Sequence, residues 1–166
     1  MNESSGPLAP VVDRVEMQSP PPSLVTLTHV TYGLHAVGLA AGAFSALTII
    51  GAFIFGWPSI LAVIINYVTR DEARGTWLES HLRWQIRTFW FAVLWVGLVV
   101  VLGFALTFTS LLISSAILSA GPFAFGMVTG GAILWIGLFA LGIWATYRIV
   151  RGWMALNKGR ALPTPR

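Results

Sequence analysis

Residues 88–147 read TFWFAVLWVGLVVVLGFALTFTSLLISSAILSAGPFAFGMVTGGAILWIGLFALGIWATY, without a single Asp, Glu, Lys or Arg. A helix crosses the hydrocarbon of a bilayer with about 20 apolar residues, each adding about 1.5 Å of rise. The stretch is therefore long enough for two crossings joined by a tight turn. Ser119-Ala120-Gly121-Pro122 supplies that turn, because Pro122 cannot continue a helix and Gly121 tolerates positive φ.

Working outward, a second uncharged stretch runs from Met17 to Thr69, and the dense charged segment Arg70–Arg87 separates the two. A basic cluster, Arg148–Arg166, closes the chain. The composition agrees with this layout. Hydrophobic residues make up 56% of the 166 positions and charged residues 10%, with a mean hydropathy of +0.78. A soluble domain carries about 25% charged residues to solvate its surface, so lipid has to be the solvent for much of this chain. The net charge is +4. The ten Lys and Arg are too few, and too closely tied to apolar runs, to indicate nucleic acid; basic residues flanking membrane spans are the better reading. With no cysteine, disulfides, thiolate nucleophiles and Cys-ligated metals are excluded.

The first apolar block breaks most clearly at Phe55-Gly56-Trp57-Pro58-Ser59, with Pro58 suited to open a new helix. The expected fold is all-α: a polytopic bundle of about four membrane helices, at about 24–55, 58–72, 76–118 and 123–157, with a cytoplasmic amphipathic segment. Helix 58–72 is short for a full crossing. Residues 1–23 hold Pro7, Pro10 and Pro20-Pro21-Pro22 and lack the basic and apolar regions of a signal peptide; they read as a disordered proline-rich tail. Residues 158–166 read as a basic tail. By the positive-inside rule, Arg70, Arg74, Arg83 and Arg87 mark a cytoplasmic loop and the C-terminal cluster a cytoplasmic tail of a bacterial inner-membrane protein. A three-span form with its N-terminus outside is the alternative topology.

Within the charged segment, Thr76-Trp77-Leu78-Glu79 has the capping-box pattern, in which Thr76 caps the Glu79 amide and Glu79 reaches back. Gly75, just before it, can end the preceding helix. Trp77, His81, Trp84, Thr88, Phe91 and Trp95 recur at helical spacing along one face, while Glu79, Arg83 and Arg87 follow another at steps of four. Together they describe an amphipathic helix that enters the membrane with tryptophans at headgroup depth.

Two segments are familiar. Asn66-Tyr67-Val68-Thr69-Arg70-Asp71-Glu72-Ala73-Arg74-Gly75-Thr76-Trp77, continued by Glu79-Ser80-His81 and Arg83–Trp90, resembles the signature of an uncharacterised family of bacterial membrane proteins, DUF4870, of the Tic20-like group. Tyr147–Trp153 resembles the end of the same pattern. The resemblance spans roughly Thr28 to Lys158 and implies a helical membrane bundle. Through the Tic20-like label it also implies distant similarity to a component of chloroplast protein import, which transfers no activity. The family supplies no catalytic residues to carry over.

The chemistry-bearing residues are sparse. His29, His35 and His81 invite a haem reading. His29 and His35, however, are about 240° apart around one helix, and polar packing is the plainer account. Asp71, Glu72, Glu79 and His81 are interleaved with Arg70, Arg74 and Arg83, which favours an ion-pair network over a metal. Asn66 and Gln85 are the polar residues expected near the membrane edge. Gly38/Gly42 and Gly126/Gly130 match the small-residue motif for close helix contact, within this chain or between copies in a homo-oligomer. Arg70, Arg74, Trp77, His81, Arg83, Trp84, Arg87, Arg148 and Arg151 are expected to form a surface for anionic lipid or a membrane-protein partner. No catalytic constellation, cofactor or metal is expected. The leading function is a non-enzymatic scaffold or accessory subunit; the alternatives are a Tic20-like channel or translocation component, and a haem-binding or lipid-modifying enzyme.

Overall fold

The computed structural model of the chain describes residues 18–45 and 49–163, and within these the side chains of all but residues 43–56. Four helices follow one another: α1 (Pro22–Ser45), α2 (Ile49–Val68), α3 (Leu78–Ile117) and α4 (Gly121–Asn157). Among the described residues there is no strand; Gln18 and Thr76 form a single isolated bridge. Three helices are long and apolar enough to cross a membrane, over Pro22–Gly42, Leu78–Ile117 and Gly121–Asn157, while Trp57–Val68 is a shorter apolar helix. The fold is thus the all-α architecture that the uncharged blocks predict.

The expected tail over residues 1–23 lies outside the described residues up to position 17. α1 opens at Pro22, whose missing N–H costs nothing at a first helical position, and the carbonyl of Pro21 accepts from the Leu24 and Val25 amides at 3.0 and 3.2 Å. α1 then buries a polar stripe. Thr28, Thr31, Tyr32 and His35 face the interior, and Val30 and Val37 face out. In lipid this inversion is favourable, because polar groups need protein partners there and apolar ones do not.

The break expected at Phe55–Ser59 is corrected. α1 ends at Ser45, and α2 runs from Ile49 through Pro58 to Val68. A proline removes one helical hydrogen bond, yet helix interiors in membranes accept it where neighbouring groups compensate. The correction also shortens the first helix from the expected 24–55. It makes α1 and α2 a matched antiparallel pair, with Gly38 of α1 seated so closely on Ser59 that an added Cβ would lie 3.3 Å from the Ser59 nitrogen.

α2 ends at Val68, short of the expected 72, and the chain turns through residues 69–75. Gly75 stops this turn with φ +74°, the left-handed conformation in which a side chain is strained. The expected capping box does not form, because both of its side chains bond to the preceding turn instead. Thr76 Oγ1 donates to the Ala73 carbonyl at 2.7 Å and so caps the turn behind it, and Glu79 reaches back to the Gly75 amide at 3.3 Å. α3 accordingly starts at Leu78, two residues later than expected.

α3 and α4, of 40 and 37 residues, extend about 60 and 55 Å at about 1.5 Å per residue. Their connection is the predicted turn, but the left-handed residue is Leu118 (φ 52°) and not Gly121. Its amide is held by the Ser114 carbonyl, and Pro122 sits in the first turn of α4, where its missing N–H is harmless. Between the two helices runs a seam of small residues. A Cβ added at Gly130 would lie 2.8 Å from the Gly103 carbonyl oxygen, one at Gly137 would lie 2.7 Å from Val99, and Gly126 lies directly against Ser110. Backbones this close gain dispersion along the whole contact, which is the main attraction available between helices in lipid. Of the four glycines singled out by motif, Gly38, Gly126 and Gly130 pack against neighbouring helices of the same chain.

Candidate functional site

All four helices meet at one end of the molecule. The core there consists of Leu24, Tyr32, Ala73, Leu78, Leu82, Ile149 and Leu156, and it encloses polar side chains from every helix. Tyr32 from α1 donates its hydroxyl to His81 Nδ1 of α3 at 3.1 Å, and His81 Nε2 donates to the Arg160 carbonyl at 2.9 Å. A carbonyl only accepts, so Nε2 carries the proton and Nδ1 of the neutral ring accepts. Asn66 of α2 donates to Gln85 of α3 at 3.0 Å. Trp153 of α4 donates to His29 of α1 at 3.0 Å. Residues 158–163 return over the cluster: Leu162 is buried, and its amide donates to Ser80 at 2.9 Å.

Glycine decides the fit here as well. The Tyr32 ring lies on Gly152, where an added Cβ would come within 2.8 Å of two ring carbons, and it stacks on Trp153 at a centroid distance of 6.3 Å. At the margin, Arg148 places its guanidinium carbon 3.6 Å from the centre of the Trp84 ring, and its Nε donates to Thr88 at 2.8 Å. The Trp84 indole returns a bond to the Arg148 carbonyl at 3.2 Å. The cation is thus held by π-electrons and a hydroxyl, with no carboxylate partner among the described residues.

The nine residues expected to form one binding surface divide into two sets. Arg70, Arg74, Arg83, Arg87 and Arg151 are exposed. Arg74 pairs with Asp71 at 3.1 Å and Arg83 with Glu79 at 2.6 Å, while Arg151 donates to Tyr147 at 3.0 Å. Trp77, His81, Trp84 and Arg148 belong instead to the internal packing. His81 is 0% exposed, which removes it from any surface, because its ring bridges α1 and the returning tail. The Trp77 ring meets it edge-on at 5.6 Å. Tyr32, Gly152, Trp153 and the Arg160 carbonyl are central and were not singled out from the sequence. The 3-1-3 spacing of Thr28, Thr31, Tyr32 and His35 was the available signal for the α1 face.

For the haem reading, the geometry is unfavourable at two of the three histidines. Both nitrogens of His81 and Nδ1 of His29 are engaged in hydrogen bonds. The buried nitrogens His35 Nε2 and Gln85 Nε2 have no hydrogen-bond partner among the described residues. Among the described residues no group of three His, Asp or Glu is placed to hold a metal.

The exposed cations have their own geometry. Tyr67, Arg70, Glu79, Arg83, Ile86 and Arg87 line a cleft of about 150 Å³ between the C-terminal end of α2 and the first turns of α3. Just beyond it, Trp90 donates to the Tyr67 hydroxyl at 3.1 Å and ties the two helices together. No family model, curated protein or solved structure matches the chain.

Proposed function

We propose that this chain is a multi-pass protein of a bacterial inner membrane, with the 70–87 segment and the C-terminal end at the cytoplasmic face, and that it serves there as a non-enzymatic scaffold or accessory subunit. One observation carries the reading: Tyr32, His81, Asn66 and Gln85 of the polar cluster are bonded in structural roles, while the cations beside them remain exposed on the same end. His81 is spent on Tyr32 and the tail, and Asn66 on Gln85. Arg70, Arg83 and Arg87 face outward, where positive charge meets anionic lipid or an acidic protein surface. The apolar arm of α3 and α4 supports the membrane assignment, and the positive-inside rule supports the orientation.

The test is to tag the C-terminus at native expression level, crosslink in intact membranes and identify what co-purifies. A reproducible stoichiometric partner is expected; turnover or ion flux by the purified chain alone would sink the reading. The resemblance of residues 66–90 and 147–153 to the Tic20-like group supports a second reading, a translocation component. Conductance of the reconstituted chain across ion gradients is its test, and silence at all potentials would remove it.

A further inference from the structure

We infer that the cleft between α2 and α3 is a binding site for the headgroup of an anionic phospholipid, held by Arg70 and Arg87 with its acyl chain lying along the exposed apolar surface of the two helices. The inference rests on the membrane reading above and adds a ligand to it.

Four observations meet at this cleft. Its lining carries three guanidiniums and one carboxylate. The carboxylate is already engaged on both oxygens, by Arg83 at 2.6 Å and by the Gly75 amide at 3.3 Å. Arg70 and Arg87 are exposed and have no ion pair among the described residues. The cleft therefore keeps a net positive charge after its internal pairing, and guanidinium forks match the geometry of phosphate oxygens.

The second observation is depth. Arg70 follows Thr69, the last residue of one uncharged stretch, and Arg87 precedes Thr88, the first residue of the other. Both cations stand where the uncharged apolar runs end, which is where headgroup phosphates lie. Third, the Trp90–Tyr67 pair, bonded at 3.1 Å, sits on the membrane side of the cleft with each ring about half exposed. An amphipathic aromatic pair of this kind favours the interface. Fourth, the surface beyond is apolar and open: Ile64, Val68 and Leu94 are 53%, 74% and 67% exposed. A free phosphate has no use for that surface, and an acyl chain does, so the ligand is a lipid.

The full chain in a neutral detergent is titrated with phosphatidylglycerol or with phosphatidylcholine, and bound lipid is counted by native mass spectrometry. One saturable phosphatidylglycerol adduct is expected. Each guanidinium near an anionic headgroup contributes about five-fold in affinity, so the double substitution Arg70→Gln with Arg87→Gln is expected to weaken it about 25-fold. Arg151→Gln, a basic position outside the cleft, should change it less than two-fold. Where the double variant does not purify, Arg70→Gln alone, in an exposed turn, reads the about five-fold loss. Equal, unsaturable uptake of both lipids overturns the proposal, as does an equal loss in Arg151→Gln, which means diffuse charge. Competition by inorganic phosphate at the lipid's own concentration also overturns it, because the site is then for a free anion. Extraction of the chain by alkaline carbonate would instead fail the membrane reading; a carbonate-resistant chain with indifferent lipid binding fails the cleft alone.

Discussion

The two ends of this molecule solve the same problem in opposite ways. At the four-helix end, polar side chains are inside. The hydrogen bonds that matter there join residues far apart in sequence, such as Tyr32 to His81, Asn66 to Gln85 and Trp153 to His29. Along the two-helix arm, the outward surface is apolar on all sides, with Phe104, Phe108, Val128, Ile136 and Phe139 each more than 60% exposed. Hydroxyls there mostly bond back to their own helix, as Ser110 does to Leu106 and Thr129 to Phe125. Water would make the arm untenable, since soluble proteins do not expose apolar surface on this scale. Lipid removes that cost but also removes the hydrophobic drive between helices, so the arm coheres through glycine contacts instead. The polar end specifies which helices meet, and the arm specifies how closely two of them run.

That contrast can be broken at either end, and thermal unfolding of the purified chain in neutral detergent reads both. The largest effect is expected from Gly152→Val, which drives a branched side chain into the Tyr32 ring and should cost about 3 kcal/mol by overpacking; an unchanged midpoint would mean that the ring is not fixed there. Gly126→Ala should cost about 1–2 kcal/mol by pressing on Ser110. Gly131→Ala, on the same helix with nothing within 4 Å of its added carbon, should be neutral or stabilising by about 0.5–1 kcal/mol. Equal effects at the two positions would dismiss the seam.

Asn66→Leu should cost about 1 kcal/mol by stripping Gln85 of its partner. The double substitution Asn66→Leu with Gln85→Leu should cost less than the sum of the singles, a coupling that a double-mutant cycle measures. At the small end, Glu79→Gln removes an exposed ion pair of about 0.2–0.5 kcal/mol, and Phe139→Leu on the lipid face should fall within about 0.5 kcal/mol. A large loss from Phe139→Leu would mean that the arm is covered by protein and not by lipid.

Much of the fold is legible because charge is so unevenly placed. The block from Thr88 to Tyr147 had to be two helices with a turn near Ser119–Pro122, and α3 and α4 end within a few residues of that expectation. The Glu79–Arg83 pair also followed from helical spacing alone. The first block was less legible. It offered Pro58 as the most visible breaker, but a proline is only a local preference, and α2 carries it inside. Leu118, in place of the glycine that the rule favours, shows the same thing at the other turn.

The candidate site was legible in its outline and not in its partition. Arginines flanking an apolar run read as a surface, and five of them are exposed. Nothing in the spacing of His81, Trp84 and Arg148 says that they point inward, because which helix face is covered depends on where the other helices lie.

The sequence by itself determined the solvent, the helix count and the end at which charge collects, since each follows from composition and from runs of residues along one chain. Only the tertiary structure decided that Tyr32 rests on Gly152, that His81 joins α1 to the returning tail, and that Arg70 and Arg87 share one cleft. Those are contacts between residues many positions apart, and their geometry exists only once the helices have chosen their neighbours.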